Sequence, residues 1–269
     1  MLVDILDLER IEFDIFRGQS PERGPQRVFG GQVAGQALVA AGRTVPAERA
    51  VHSLHAYFIR PGDPEVPIVY TVDRTRDGRS FSTRRVTAIQ HGRAIFTLSA
   101  SFHVPEAGPE HHAPMPEAPD PEGLPERSVG LRAVEIRYDE DRARARGGRL
   151  PREPRGMVWL RVREALPDDD PLLHVCAAAY VSDMTLLDSV LMAHGLTWDA
   201  PGLSAASLDH AMWFHVPFRA DDWLLYAQES PAAAGARGLA QGRIFRRDGR
   251  LVASVVQEGL IRVTGAQGD

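Results

Sequence analysis

The chain contains no lysine: all 31 of its basic residues are arginine, so lysine-based chemistry such as Schiff-base formation is excluded. It has a single cysteine, Cys176, which excludes an intramolecular disulfide framework and any cysteine-based metal cluster. No apolar run approaches the roughly 18 residues that a membrane-spanning helix requires. The opening MLVDILDLERIEFDIF is acidic where a secretory leader would be basic and then apolar. A cytoplasmic location is therefore expected. The formal net charge of -5 removes the basic footprint expected of a nucleic-acid binder.

What is present is enough for a large core. The 269 residues are 43% hydrophobic and 25% charged, which allows one large domain or two small ones. Three segments are visible. Residues 1–103 carry short apolar runs separated by turns, and 131–269 do the same. Between them, 104–130 is rich in Pro and Glu and poor in large apolar side chains, the composition of a linker.

Each flanking segment has one plan. In the first, Gly30-Gly31 opens the Ala-rich helix pattern QVAGQALVAAG, whose small residues predict close contact with another element. Strand-like runs follow, with turn signals at Pro61-Gly62-Asp63, Asp77-Gly78 and His91-Gly92. In the second, LLHVCAAAYVSDMTLLDSVLMAHG predicts one long helix ended by Gly195, and strand-like runs again follow. SLHAYFIRP from Ser53 parallels SLDHAMWFHVP from Ser207 with a small insertion. GRAIFTLSASF from Gly92 parallels GRLVASVVQEG from Gly249. The pattern is an internal duplication in which two sheets are expected to join edge to edge, which also protects exposed strand edges.

The segments RVFGGQVAGQAL, VHSLHAYFIRPGD, RDGRSFSTRRVTAIQ, SLDHAMWFH and LVASVVQEG resemble the acyl-CoA thioesterase II family over nearly the whole chain. Only the Pro-rich linker and the arginine-rich stretch around 139–156 lack a distinctive match. The resemblance implies an α+β double hot-dog: two central helices, each wrapped by an antiparallel sheet, the sheets joined as one. It also implies hydrolysis of fatty acyl-CoA to a free acid and coenzyme A, without metal or cofactor. Carried onto this sequence, the residues that hold and polarise the water are Asp183 in YVSDMTLL, Ser207 in ASLDH and Gln257 in VVQEG.

The residues themselves give reasons to single these positions out. Asp183 lies at helical spacing with the stripe that should face the sheet, where a carboxylate is costly unless it is bonded; its competing reading is a solvated helix edge. Asp188, one turn on, is expected to be exposed. Gln257 interrupts an apolar strand and must find partners, and its counterpart in the first half is Ala100. With a small residue expected opposite Asp183 near Gly35, one half looks chemically equipped and the other looks like a binding half. A Ser207, Asp209, His210 triad is set aside, because neighbouring strand residues point to opposite faces and no G-x-S-x-G elbow exists. His210 and His215 are expected to be structural.

Further expectations concern the surroundings. His55 is an accessory base candidate, since imidazole titrates near neutrality. The backbone of Gly31 and Gln32 is expected to stabilise an oxyanion. Arg79, Arg84 and Arg85 are candidates for the phosphates of coenzyme A, with at most one of the adjacent pair facing the ligand. The expected partners are the acyl-CoA substrate and further copies of the chain, as a dimer or tetramer. A non-catalytic acyl-CoA sensing module, or a hot-dog dehydratase or hydratase, stands as the alternative.

Overall fold

The computed structural model describes residues 1–20, 27–127, 133–138 and 151–264. In the first half, the short helix α1 (Leu2–Leu6) precedes strands β1 (Glu9–Glu12) and β2 (Ile15–Gly18). Helix α2 (Gly30–Gly42) is followed by β3 (Ala50–Phe58), β4 (Ile68–Asp77), β5 (Phe81–Gln90) and β6 (Arg93–His103). In the second half, β7 (Val134–Arg137) and β8 (Arg155–Val162) lead to helices α3 (Pro171–Ser182) and α4 (Asp188–Ala193). These are followed by β9 (Leu203–Ser207), β10 (Asp209–Phe214), β11 (Leu224–Ala234), β12 (Arg237–Arg246) and β13 (Leu251–Val263).

The strands form one continuous, open antiparallel sheet in the order β1-β2-β4-β5-β6-β3-β10-β13-β12-β11-β8-β7, with β9 also paired to β13. The halves join where β3 lies against β10, with His55 opposite Ala211 and Ser53 opposite Trp213. This edge-to-edge join is the one the duplicated sequence predicts. The tight turn at His91-Gly92 is written in the backbone, both residues having positive φ (49° and 68°), as a two-residue hairpin of that twist requires.

Helices α2 and α3 pack against each other inside the curl of the sheet. Their small residues make this possible. A Cβ on Gly31 would overlap the carbonyl oxygen of Tyr180, and one on Gly35 would come within 3.1 Å of that of Cys176. Rising residue numbers on α2 meet falling numbers on α3, so the two helices run antiparallel. The amino end of α2 therefore lies at the carboxyl end of α3. This is the double hot-dog architecture.

The long second helix divides in two. The chain leaves α3 at its C-cap Asp183 and resumes helix only at Asp188. Between them the amides of Met184, Asp188 and Ser189 bond to carbonyls three residues back, a tighter turn than an α-helix. The side chains here are drawn elsewhere: the Ser182 hydroxyl lies 2.8 Å from the His210 imidazole on β10, and Thr185 accepts from Gln228 on β11. Short polar residues of this kind compete with helix, while the apolar periodicity of the sequence continues through the break. Asp188 is buried and accepts from the Trp198 indole at 2.6 Å, contrary to the exposed position expected. Gly195 does close the helix region with positive φ, and the Leu196 amide reaches back to Leu191.

Residues 104–127 run over the outer face of the second half. Met115, Ala118 and Leu124 pack on a cluster of Trp159, Trp223, Leu225, Phe245 and Leu251, and the Trp159 indole donates to the carbonyl of Pro119 at 2.8 Å. A few apolar side chains spaced along a polar segment anchor it to a sheet face that would otherwise expose two tryptophans.

Candidate active site

The end of the helix pair where α2 begins and α3 stops is the chemically richest place in the fold. Asp183 turns its carboxylate toward the first turn of α2. Its Oδ1 accepts the Ser207 hydroxyl at 2.9 Å and the Gln257 amide at 2.6 Å, and the Gly31 backbone N–H donates to the same carboxylate. The Gln257 nitrogen lies 2.6 Å from the Ser207 oxygen as well. Carboxylate, hydroxyl and amide thus close a ring of three hydrogen bonds, contributed by the end of α3, the end of β9 and the middle of β13.

A local irregularity creates this convergence. Gly259 pairs with Ser207 and Val256 with Ala211, so three steps along β13 match four along its partner. The extra residue is a bulge at Leu208-Asp209, and the Asp209 carboxylate receives the Glu258 amide at 2.7 Å. In a regular strand, residues three apart face opposite sides; across a bulge they face the same side. Ser207 and His210 therefore both point inward and flank Gln257, so strand alternation does not separate them as expected. The first half carries an equivalent irregularity between Val51 and Ser53 of β3, with Leu54 opposite Ala100, so the bulge is shared by the two halves and is not an insertion in the second.

His210 is fully buried. Its Nδ1 lies 3.2 Å from the Gln257 carbonyl oxygen and its Nε2 lies 2.8 Å from the Ser182 hydroxyl. It was expected to be structural; a polar residue where the first half holds Leu54 opposite Ala100 was the signal that could have found it. Burial pushes the Asp183 carboxyl above its ordinary pKa, against the opposing pull of His210 and the three donors. Burial pushes the His210 imidazole down, opposed first by Asp183. At the amino end of α2 the helix field favours an anion, which fits the orientation of Asp183.

Gly30 is required here. A Cβ on it would stand 2.6 Å from the Asp183 Oδ2 and 2.8 Å from the Phe58 ring. The Gly31 amide serves the Asp183 carboxylate, and the Gln32 amide bonds to the Phe29 carbonyl at 3.1 Å. Both amides expected to face an oxyanion are thus already engaged in anchoring the carboxylate and closing the helix turn.

Other expected residues lie elsewhere. His55 is exposed on the outer face of β3, edge-on to Trp213 at 5.2 Å, because its neighbours Leu54 and Ala56 take the inward positions. It cannot reach Asp183 through the sheet. Arg84 points inward but is fully buried and committed: its guanidinium donates to Thr44 Oγ1, to the Thr44 carbonyl and to Asp77. It sits at the carboxyl end of α2, which over 13 residues is roughly 20 Å from the Gly30 end. Arg79 and Arg85 are exposed on the same distant hairpin, Arg85 on the outer face. The structure brings none of the three to Asp183. The buried Cys176 thiol, pushed up by desolvation, lies within the helix crossing. Among the described residues, no cluster of three or more His, Cys, Asp or Glu is arranged to hold a metal ion, and no helix is long and apolar enough to cross a membrane.

An antiparallel helix pair inside one curled sheet defines a double hot-dog, here with an acid, an amide and a hydroxyl gathered at one end. Comparison with known proteins makes the class specific. A family profile described as acyl-CoA thioesterase matches residues 128–260, and one described as acyl-CoA thioesterase N-terminal domain matches residues 19–103. Acyl-CoA thioesterase 2 of Haemophilus influenzae is 42% identical over 279 residues, covering 97% of this chain and 96% of its own. Human acyl-coenzyme A thioesterase 8 is 41% identical over 286 residues, covering 98% and 89%. The crystal structure of an acyl-CoA thioesterase II, TesB2, from Mycobacterium marinum superposes with a TM-score of 0.85 at 47% identity, covering 100% of this chain and 99% of that one. This chain belongs to the acyl-CoA thioesterase II family, and its activity is hydrolysis of acyl-CoA thioesters.

Proposed function

We propose that the chain hydrolyses fatty acyl-CoA by direct attack of water, with Asp183 as general base and Ser207 and Gln257 as the groups that orient it. The supporting observation is the closed ring of hydrogen bonds among these three side chains. A half-buried carboxylate that accepts three donors is fixed in direction, so a water on its free lone pair meets the thioester carbon from one side only. Such positioning is a large share of what general-base catalysis requires.

The balance of the reaction is simple. The water oxygen bonds to the thioester carbon while one of its protons passes to Asp183. Negative charge gathers on the carbonyl oxygen, in the field of the amino end of α2. Collapse of this intermediate breaks the carbon–sulfur bond, the electron pair leaves with sulfur, and Asp183 returns its proton to the coenzyme A thiolate. The carboxylate is restored and no covalent acyl-enzyme forms.

The test is thiol release from a series of acyl-CoA chain lengths, with wild type and Asp183→Asn side by side. Saturable release that collapses in the variant, with the fold retained, is the expected result. Release that survives the substitution would transfer the base to another group. Binding without release from any acyl-CoA would favour the sensing module.

A further inference from the structure

A glutamine amide has two ends of nearly the same shape, and packing alone distinguishes them poorly. In this site only one orientation works. The Gln257 nitrogen must face the Asp183 carboxylate and the Ser207 oxygen, 2.6 Å from each. Rotated by half a turn, the amide would place its own oxygen against the carboxylate, losing two donors and gaining a repulsion. A group on the opposite side of the amide must therefore decide between the two states.

That group is His210. Its Nδ1 lies 3.2 Å from the Gln257 oxygen, and its Nε2 is held 2.8 Å from the Ser182 hydroxyl. Because Nδ1 meets an acceptor, it must carry the proton. Nε2 then accepts from Ser182, which also lies 3.0 Å from the Ala179 carbonyl. Flipping Gln257 would set its NH2 group against the Nδ1–H, donor against donor, inside a site where an unmet donor is costly. Only moving the imidazole proton to Nε2 and turning the Ser182 hydroxyl to the Ala179 carbonyl would relieve it. The bulge at Leu208-Asp209 leaves Ser207 and His210 on the same inner face as Gln257; at the equivalent bulge of β3 in the first half, the place opposite Ala100 is held by the apolar Leu54.

We propose that His210, braced by Ser182, is a positioning residue that fixes the amide of Gln257 in its productive orientation. This rests on the reading of Gln257 given under Proposed function. His210 touches no reacting atom; it acts through the glutamine.

The test is a double-mutant cycle on the full chain, with kcat and KM measured separately and circular dichroism as the fold check. His210→Ala should lower kcat about 10- to 100-fold with KM nearly unchanged. His210→Asn, whose side-chain N–H can replace Nδ1–H, should recover most of that loss. In a Gln257→Ala background, His210→Ala should cost nothing further, because its only target has gone. Additive losses, or His210→Asn as poor as His210→Ala, would overturn the proposal. If His210→Ala does not fold, Ser182→Ala removes the brace without emptying the imidazole site. It should lower kcat several-fold when Gln257 is present and not when it is absent; loss in both or in neither overturns the proposal. Wild-type kcat in Gln257→Ala would instead overturn the reading of Gln257 itself. A fall in Gln257→Ala without one in folded His210→Ala rejects His210 alone.

Discussion

The two ends of the helix pair solve one structural problem in opposite ways. At each end a long polar side chain reaches from the sheet to the carboxyl terminus of a helix. In the first half it comes from β5, where Arg84 pairs with Ala100; in the second it comes from β13, where Gln257 pairs with Ala240. The same cross-strand position holds one alanine and one polar residue in each half, exchanged between the two strands. Arg84 brings a cation to the end of α2 and satisfies the Thr44 carbonyl, which is the charge that a helix C-terminus favours. Gln257 meets the carboxylate of Asp183, an anion at the end of α3, where the field of its own helix opposes it. Only the amino end of α2 and the surrounding donors offset that cost. Duplication thus allows one end to be a fully satisfied cap while the other holds a reactive group, and the same helix pair serves both.

If this division is real, substitutions at the two ends should separate activity from stability. The largest effect is expected from Asp183→Asn, which should lower kcat by about 10²- to 10⁴-fold, the usual contribution of a general base. Arg84→Met should do the reverse. It strands the Thr44 carbonyl and costs about 1–3 kcal/mol, read as a lower denaturation midpoint, while the folded fraction keeps its kcat. A large loss of kcat in Arg84→Met would mean that the first end also takes part in turnover. Gly31→Ala lies between these cases, because its Cβ would overlap the Tyr180 carbonyl and disturb the crossing on which Asp183 depends. Overpacking of about 1–3 kcal/mol together with a measurable fall in kcat is the expected outcome. Stability lost with kcat unchanged would show that the site tolerates movement of α2.

The sequence displayed some of this contrast and concealed the rest. Asp183 and Gln257 stood out because each interrupts an apolar pattern, and the mismatch between Gln257 and Ala100 already marked the halves as unequal. The structural counterpart of Asp183 was less legible. It is Arg43, the C-cap of α2, rather than a small residue near Gly35, because equivalence follows the helix ends and not the sequence spacing. The helix break after Ser182 was invisible, since the apolar periodicity runs through it and the competing bonds come from the side chains of Ser182 and Thr185. Alternation showed that Arg84 and Arg85 face opposite ways, but not that the inward one is spent on Thr44 and Asp77. His210 was hidden for a related reason: a bulge at Leu208-Asp209 shifts the strand alternation by one residue, so counting along SLDHAMWFH does not show that Ser207 and His210 share the inner face.

The smallest expected effect sharpens the contrast through pH, because the carboxylates at the two ends shift in opposite directions. Asp77 is held below its ordinary pKa by the Ser82 hydroxyl and then by Arg84, while burial drives Asp183 above its own. For Asp77 the folded chain binds a proton less readily than the unfolded one. Its contribution to stability is present above the unfolded value of about 4 and is lost as pH falls through the folded value. For Asp183 the sign reverses: the contribution is complete below about 4 and is lost as pH rises through the raised folded value. Denaturation midpoints measured over a pH series isolate each group by comparison with its asparagine variant. Wild type should lose ground to Asp77→Asn as the solution is acidified below about 4, and to Asp183→Asn as pH rises above it. The acid limb of kcat/KM should coincide with the second transition, since a base must be ionised to act. An acid limb at or below the ordinary carboxylate value would mean that Ser207, Gln257 and Gly31 together outweigh burial. The second end would then be stabilised by hydrogen bonds as the first one is, and the contrast would lie in the chemistry of the two groups rather than in the cost of holding them.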